Sequence, residues 1–470
     1  MPILPVFLWT DLLIYLLVAT VAAFGFYSSR RAYLRDPWTQ IVRRPIAMAA
    51  LVILLVYIGI GLIDSFHFKR RLPPAEPGQA IQYSPEVLSL LDTLTDRLRK
   101  NSERTYSAPL ATHAYSKETV ERPDGTKARL FPRLIHGGAH LKDPEKEWGG
   151  DLFLTTLMGG AVALLIALFI DAHFIFYFSR RRQISFEEMA GKIVRGETNA
   201  ACRTTLGTIT LLIVLVGMAI PLALKYHLFG TDKVGQDVLY LSLKGIRTGL
   251  VIGTVTTLVT LPFAILLGIA AGYFRGWVDD LIQYVYTTLS SVPGVLLIAA
   301  SVLILQAYMD RHSNAFTSVT QRADVRLLFL CIILGITGWI GLCRLLRGET
   351  LKLREMDYVQ AAIALGVGNG TILIRHILPN VMHLVLISAV LDFSGLVLAE
   401  AVLSYVGVGV DPAMISWGNM INSARLEMAR EPIVWWSLAA AFVFMFGLVL
   451  SANLFSDAVR DALDPRLRGR

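Results

Sequence analysis

Nine stretches of this chain are apolar over a length close to or beyond the ~20 residues that a helix needs to cross a bilayer. They lie at about 6–27, 46–65, 152–178, 204–225, 240–273, 281–308, 327–346, 381–409 and 434–457. A chain inside lipid must satisfy its backbone polar groups within itself, so runs of this kind read as membrane-spanning helices. The runs 240–273 and 381–409 exceed one bilayer thickness, which calls for tilt or for a helix end outside the lipid. A hydrophobic fraction of 54%, a charged fraction of 17% and a mean hydropathy of +0.55 exclude an ordinary soluble enzyme of 470 residues. The expected fold class is an all-α polytopic membrane protein.

The net charge of +8 would point to nucleic acid in a soluble protein, but here it is read loop by loop. Arg30, Arg31, Arg35, Arg43 and Arg44 lie between the first two runs. Arg180, Arg181, Arg182, Lys192 and Arg195 follow the third, and Arg347, Lys352, Arg354 and Arg375 follow the seventh. The C-terminus ends RDALDPRLRGR. With nine spans these four segments share one side, which the positive-inside rule makes the cytoplasm. The N-terminus is then extracytoplasmic, as is the polar region 66–150. The first apolar run has no basic residue before it and no small-residue cleavage site, so it reads as a retained helix. Cys202, Cys331 and Cys343 lie in or beside apolar runs and give no disulfide framework.

Region 66–150 carries the turn signals PPAEPG and RPDG. Ser84-Pro85 offers an N-cap and first helical residue, with Val87, Leu91, Leu94 and Leu98 at helical spacing behind it. A small subdomain with one amphipathic helix is expected. The plain alternative to a binding site there is a packed loop that props up the fold.

Residues 357–379, DYVQAAIALGVGNGTILIRHILP, are polar enough to interrupt two apolar runs. Asp357 can cap a short helix, and Gly366 stands where a C′ glycine would end it. Val359, Ala362 and Ile363 can share a face, and the small Ala361 and Ala362 allow close approach by another surface. Asn369-Gly370 makes a turn, after which Thr371 can cap a second short helix ending before Pro379. A helix–turn–helix too short to cross the membrane suits docking into a partner's groove. A surface connector between spans is the plain alternative.

QAAIALG followed by HILP resembles the cytoplasmic EAA loop of importer-type ABC transporter permeases. Gln360, Ala361, Ala362, Gly366, Leu378 and Pro379 fall in register. Gln360 replaces the usual Glu, and His376 stands where the general pattern has Ile, although RHILPN is similar to the peptide and nickel branch. FGTDKVGQDVLYLSLKGIRTGLVIG (229–253), with Gln236 for the usual Arg, resembles that same branch. So do AGYFRGWVDD (271–280), EAVLSYVGVGV (400–410), SWGNM (416–420) and RDALDPRL (460–467), in order. Together they cover about 227–467.

The resemblance implies a six-span permease core over 204–470. Residues 1–65 are then two extra helices, 66–150 an extracytoplasmic region, and 151–203 a third helix with a cytoplasmic linker. It further implies a permease subunit of an ATP-driven importer in the bacterial inner membrane, forming half of the pathway for peptides or related solutes. Its partners would be a second permease in a heterodimer, two cytoplasmic ATPases and an extracytoplasmic solute-binding protein. Asp357, Tyr358, Gln360, Ala361, Ala362, Gly366, His376, Leu378 and Pro379 would form the ATPase-coupling loop. No G-x-x-x-x-G-K-[ST] occurs in the chain, so it is expected to be no enzyme and to hold no cofactor, with ATP and Mg in the partner subunits. Opines and nickel chelates remain open as cargo. An ion-coupled secondary transporter would show paired interrupted spans with midplane acids, and an intramembrane enzyme clustered His, Asp or Ser in facing spans.

Single residues give weaker signals. Glu400, an acid near the end of a span, suits either a structural or a pathway role. Ser290, Ser291 and Pro293 suggest a mid-span kink and a possible gate. Asp171 and His173 suit helix packing better than a proton relay. His136 and His140 have i,i+4 spacing, but the glycines between them disfavour a helical metal site. GVGNG (366–370) follows no strand and is no dinucleotide loop.

Overall fold

The computed structural model describes residues 3–30, 32–72, 82–121, 127–198, 200–312 and 318–463. The turn signals at 73–78 and 122–125 and the basic C-terminal residues 464–470 lie outside this set. In chain order the elements are β1 (Ile3–Val6), α1 (Trp9–Ser29), α2 (Ala32–Arg43), α3 (Pro45–Asp64), β2 (His67–Arg70), β3 (Leu88–Ser89), α4 (Leu90–Leu94) and α5 (Asp96–Lys100). Then come β4 (Glu118–Glu121), β5 (Lys127–Leu130), α6 (Pro144–Arg182), α7 (Phe186–Arg195), α8 (Cys202–Lys225), α9 (Val238–Phe274), α10 (Gly276–Ser291) and α11 (Gly294–Arg311). Last are α12 (Val319–Gly338), α13 (Ile340–Arg354), α14 (Asp357–Ala364), α15 (Asn369–Ile372), a π-turn (Leu373–Ile377), α16 (Leu378–Tyr405), α17 (Trp417–Glu427) and α18 (Trp436–Leu463).

Among the described residues eight helices are long and apolar enough to cross a membrane, and α1 contributes a shorter apolar stretch, Trp9–Ala23. The expected span 281–308 is not one helix. Val292 is extended and Pro293 is the N-cap of α11, because a residue before proline is pushed out of the helical region. Conversely, the run 327–346 extends to Val319–Arg354, with a junction at Trp339 between α12 and α13.

The chain divides into two compact units. The first comprises Met1–Pro5, Trp38–Arg247 and Ile415–Phe455, and the second Val6–Pro37, Thr248–Met414 and Ser456–Arg470. In the first unit α6 has 39 residues, roughly 58 Å at 1.5 Å per residue, far more than one bilayer needs. It packs on α8 through small residues. A Cβ on Gly217 would sit 2.2 Å from the Ala163 Cβ, and one on Gly159 would lie 2.5 Å from the Gly217 carbonyl oxygen. Such contacts bring two backbones together where lipid offers no hydrophobic drive. The Thr210 hydroxyl donates to Asp171 across the same pair at 2.8 Å, the helix-packing role that the sequence suggested.

Region 66–150 adds short strands to the helical architecture. β1, β2 and β3 form one sheet in that order, and β4 pairs antiparallel with β5. The helix expected from Ser84 starts instead after Ser89. Leu88 and Ser89 are held in antiparallel register with Phe68 and His67, and Ser89 with Asp92 forms a reciprocal capping box. A break at Thr95 then separates α4 from α5, and within α4 Leu91 is buried while Leu94 is exposed.

The Lys244 ammonium on α9 lies 2.7 Å from Asp64 at the end of α3 and 3.0 Å from Asp92 on α4. Ser89 donates to Asp64 at 2.6 Å and the Tyr240 hydroxyl to Asp92 at 2.8 Å. Trp417 on α17 is buried against Gly245 and donates from Nε1 to the Ser242 carbonyl at 3.0 Å.

In the second unit Asp324 on α12 caps α1. It accepts from the backbone N–H of Trp9 at 2.9 Å and from the Thr10 hydroxyl. Gly253, Gly268, Gly272 and Gly335 leave no room for a Cβ against Phe393, Cys343, Thr350 and Val259 respectively.

The Lys244 arrangement is directly testable. Lys244→Met leaves two buried carboxylates without their cation and should cost about 3–5 kcal/mol, read as a lower melting temperature in detergent. An unchanged melting temperature would show that the ion cluster is not holding α3, α4 and α9 together.

Candidate functional site

The segment 354–380 lies wholly in the second unit. Glu355 and Met356 interrupt the helix after α13, and α14 begins at Asp357. Met356 rather than Asp357 occupies the N-cap, without a side-chain cap bond. Asp357 falls in the first turn, where its charge still suits the positive end of the helix dipole. The expected C-terminal stop is present. Gly366 has φ +74°, its N–H donates to the Ile363 carbonyl, and the Val367 N–H reaches back to the Ala362 carbonyl. That is a Schellman-type closure.

Burial separates two faces of α14. Val359 is fully buried and Ala362 is 8% exposed, in one apolar cluster with Tyr273, Leu342, Leu346, Ile372, Ile377 and Val381. Ala362 is therefore not on an open surface, whereas Ala361 is exposed. The outward face carries Met356, Tyr358, Ile363 and Leu365, the last 83% exposed, and Ile374 beyond the turn is 70% exposed. The Tyr273 hydroxyl donates to the Asn369 Oδ1 at 2.9 Å, which holds the turn against α9.

Thr371 does not cap a second helix, because α15 starts at Asn369 with Gly368 as its N-cap. Leu378-Pro379 is not a stop either. The chain stays helical from α15 through the π-turn into α16, with Pro379 in the first turn of α16. Proline has no N–H to give and clashes with the preceding turn of an α-helix, and a π-turn relieves both. His376 lies beside Tyr358, ring centroids 6.2 Å apart, and Asn380 donates to the Tyr358 hydroxyl at 3.1 Å. Gln360 donates from Nε2 to the Arg354 carbonyl at 2.9 Å, a bond that an ionised Glu could not make.

Residues 264–469 match the family described as "Binding-protein-dependent transport system inner membrane component". The chain is 33% identical over 250 residues to the oligopeptide transport system permease protein OppC of Haemophilus influenzae, covering 53% of this chain and 74% of that one. It is 34% identical over 244 residues to the glutathione transport system permease protein GsiD of Pectobacterium atrosepticum, covering 52% and 73%. Over 242 residues it is 33% identical to the dipeptide transport system permease protein DppC of Alkalihalophilus pseudofirmus, covering 52% and 73%. The chain belongs to the family of binding-protein-dependent transport system inner membrane components.

Two features of this ABC importer permease were not read from its sequence. Arg347 on α13 grips Asp279 on α10 through two bonds of 2.6 and 2.7 Å, and Arg344 stacks over Tyr286 at 4.6 Å. Asp279 lies in AGYFRGWVDD, so the signal was present, but its partner is 68 residues away. The gate candidates are dispersed. Glu400 is 3% exposed and accepts from Ser404 at 2.8 Å. Ser290, Ser291 and Pro293 are exposed at the break between α10 and α11, and Ser291 donates to the Thr288 carbonyl at 2.7 Å.

The FGTDKVGQDV segment belongs to the first unit, and its residue choices have local causes. Asp232 accepts from the Val234 and Gln236 N–H groups, and Asp237 caps α9 through Leu239 at 2.8 Å. Gly235 has φ +77°, and a Cβ there would meet the Glu103 carbonyl oxygen at 1.9 Å. Between these turns His227 is buried between Asp237 (2.8 Å) and Glu103 (3.4 Å). Glu103 also accepts from the N–H groups of Ile135, His136 and Gly137. His136 thus serves the cluster through its backbone, while the His140 ring meets Asp151 at 2.9 Å.

Burial alone would lower the His227 pKa, but the bonds and charges of Asp237 and Glu103 outweigh it and raise it to about 9. Burial likewise pushes Glu103 up, and the bonds from His227 and the three N–H groups bring it down to about 2. A histidine with a raised folded-state pKa stabilises fully below its unfolded pKa near 6.5, and that stability is lost as pH rises through about 9. The melting temperature should therefore fall between pH 6.5 and 9.5, and His227→Gln should flatten that fall. An equal fall in both proteins would remove His227 as its source.

At Gly366 an added side chain meets nothing within 4 Å, so only the backbone conformation opposes substitution. Gly366→Val should cost about 1–2 kcal/mol and increase proteolytic cleavage between Met356 and Gly370. Gly366→Asn, which tolerates positive φ, should cut like the parent. Equal protection of the Val variant would mean that the left-handed turn does not close α14.

Proposed function

We propose that this permease forms half of the translocation pathway of an ATP-driven importer for peptides or related small solutes, and that α14 with its flanking turns is where an ATPase subunit docks. The observation that carries the docking assignment is the two-faced character of α14. Val359 and Ala362 anchor it in the second unit, while Tyr358, Ala361, Ile363 and Leu365 are left uncovered. An exposed apolar face on a short, closed helix suits insertion into a groove on a partner. The similarity to permeases named for oligopeptide, dipeptide and glutathione transport supports the cargo class.

The complete machine in this reading holds a second permease, two ATPases carrying ATP and Mg, and a solute-binding protein on the outer side. ATP closes the ATPase pair, and the motion enters through α14. It passes to α13 and α16, which share its apolar cluster, and shifts a bistable helix packing between inward-facing and outward-facing states. The arginine-bearing segments 28–45, 179–203 and 347–380 support a cytoplasmic position for this loop, and an N-terminus outside when α1 crosses as the ninth span.

Leu365→Glu tests docking without touching the buried face. The variant should insert at normal levels and melt like the parent, yet lose most of the co-purifying ATPase and most of the uptake. Ala362→Glu, by contrast, should lower the melting temperature itself, since it buries a charge. Full ATPase recovery with full uptake in Leu365→Glu would reduce α14 to a surface connector.

A further inference from the structure

The first unit holds a cavity of about 680 Å³ lined by Arg43, Pro45, Thr198, Ala201, Arg203 and neighbouring backbone. We infer that it binds the phosphate of an anionic membrane phospholipid. Two basic side chains reach it from different elements. Arg43 is the last residue of α2, and Arg203 stands in the first turn of α8. Among the described residues neither has an ion-pair partner, and no carboxylate lines the cavity. The walls are held together by the Ala201 N–H donating to the Val42 carbonyl at 2.9 Å.

Two bilayer-length helices begin at this cavity. The N-caps of α3 and α8 are Arg44 and Ala201, and neither offers a side-chain cap bond. First-turn N–H groups have no partner inside their own helix, and two helix dipoles place their positive ends here. Arginine forks match phosphate oxygens in two-point contact. The level of the cavity selects the source of the phosphate. Because α3 and α8 turn apolar within a few residues of it, the cavity lies where a bilayer keeps its headgroups. Basic pockets between spanning helices at that depth hold anionic lipids, and the volume leaves room for more than a bare phosphate. The inference does not rest on the transport reading.

The test uses the full-length chain, stripped of lipid in detergent, titrated with phosphatidylglycerol, phosphatidylcholine or inorganic phosphate, and read by native mass spectrometry. Phosphatidylglycerol should be retained and phosphatidylcholine should not. Arg43→Gln with Arg203→Gln should weaken retention at least tenfold, while Arg43→Lys with Arg203→Lys, which keeps the charge but not the fork, should retain an intermediate share. Arg181→Gln with Arg182→Gln, the same charge change outside the cavity, should bind like the parent. The inference is overturned if the Gln pair retains phosphatidylglycerol fully or if the Lys pair loses it as completely as the Gln pair. It is overturned equally if phosphatidylcholine binds as well, or if millimolar inorganic phosphate displaces the lipid and so identifies a soluble anion as the ligand.

Discussion

A single ammonium group organises the first unit. Lys244 sits between Asp64 and Asp92 with its side chain only 14% exposed. A buried cation alone would be prohibitively costly, and a buried carboxylate no less so. Each therefore requires the others in place. This fixes where α3 ends, where α4 starts and how far α9 extends beyond its apolar stretch. Ser89 serves twice, capping α4 and donating to Asp64, so strand pairing at Leu88–Ser89 is tied to the same charges. The extra N-terminal helix α3 is thereby joined by charge to a segment that resembles the permease core.

Much of the fold was legible because lipid enforces long apolar helices, and the expected runs 46–65, 204–225, 240–273 and 434–457 fall within a few residues of span-length helices. The misreadings arose where the local signal was ambiguous. At Ser84-Pro85 a plausible cap lost to Ser89, whose capping box and strand pairing act together. At 281–308 Ser290, Ser291 and Pro293 signalled a kink within one span, whereas the backbone breaks there outright into α10 and α11. In the candidate site, Gly366 was legible because a left-handed residue asks for glycine. The shared face of Val359 and Ala362 was legible from helical spacing, but that this face is buried and that Ile363 lies outside it was not, since only tertiary packing decides which face turns inward. The partners of Asp279, His227 and Lys244 were invisible for the same reason: each lies on a different element, at a separation that no helical or strand period predicts.

Burial of Val359 and Ala362 also bears on how motion would be transmitted. A docking element attached only by its chain ends could swivel without moving the spans. Here the anchor is a shared apolar cluster with Leu346 on α13 and Val381 on α16, and close-packed interiors transmit displacement because they compress little. The Tyr273–Asn369 bond adds a polar tie to the same cluster.

The π-turn at Leu373–Ile377 has a geometric consequence for everything after it. Ile372 and Ile377 are both fully buried in one cluster although five residues apart. In a plain α-helix that separation turns the two side chains about 140° away from each other. The π-turn takes up one residue, so the inward stripe continues as Ile372, Ile377, Val381 and Val385. The hydrophobic phase of α16 is thus set by a local winding defect as well as by composition. Removing one residue from the turn would leave the apolar sequence of the span intact and rotate its contact face by about 100°, a frameshift in angle rather than in code.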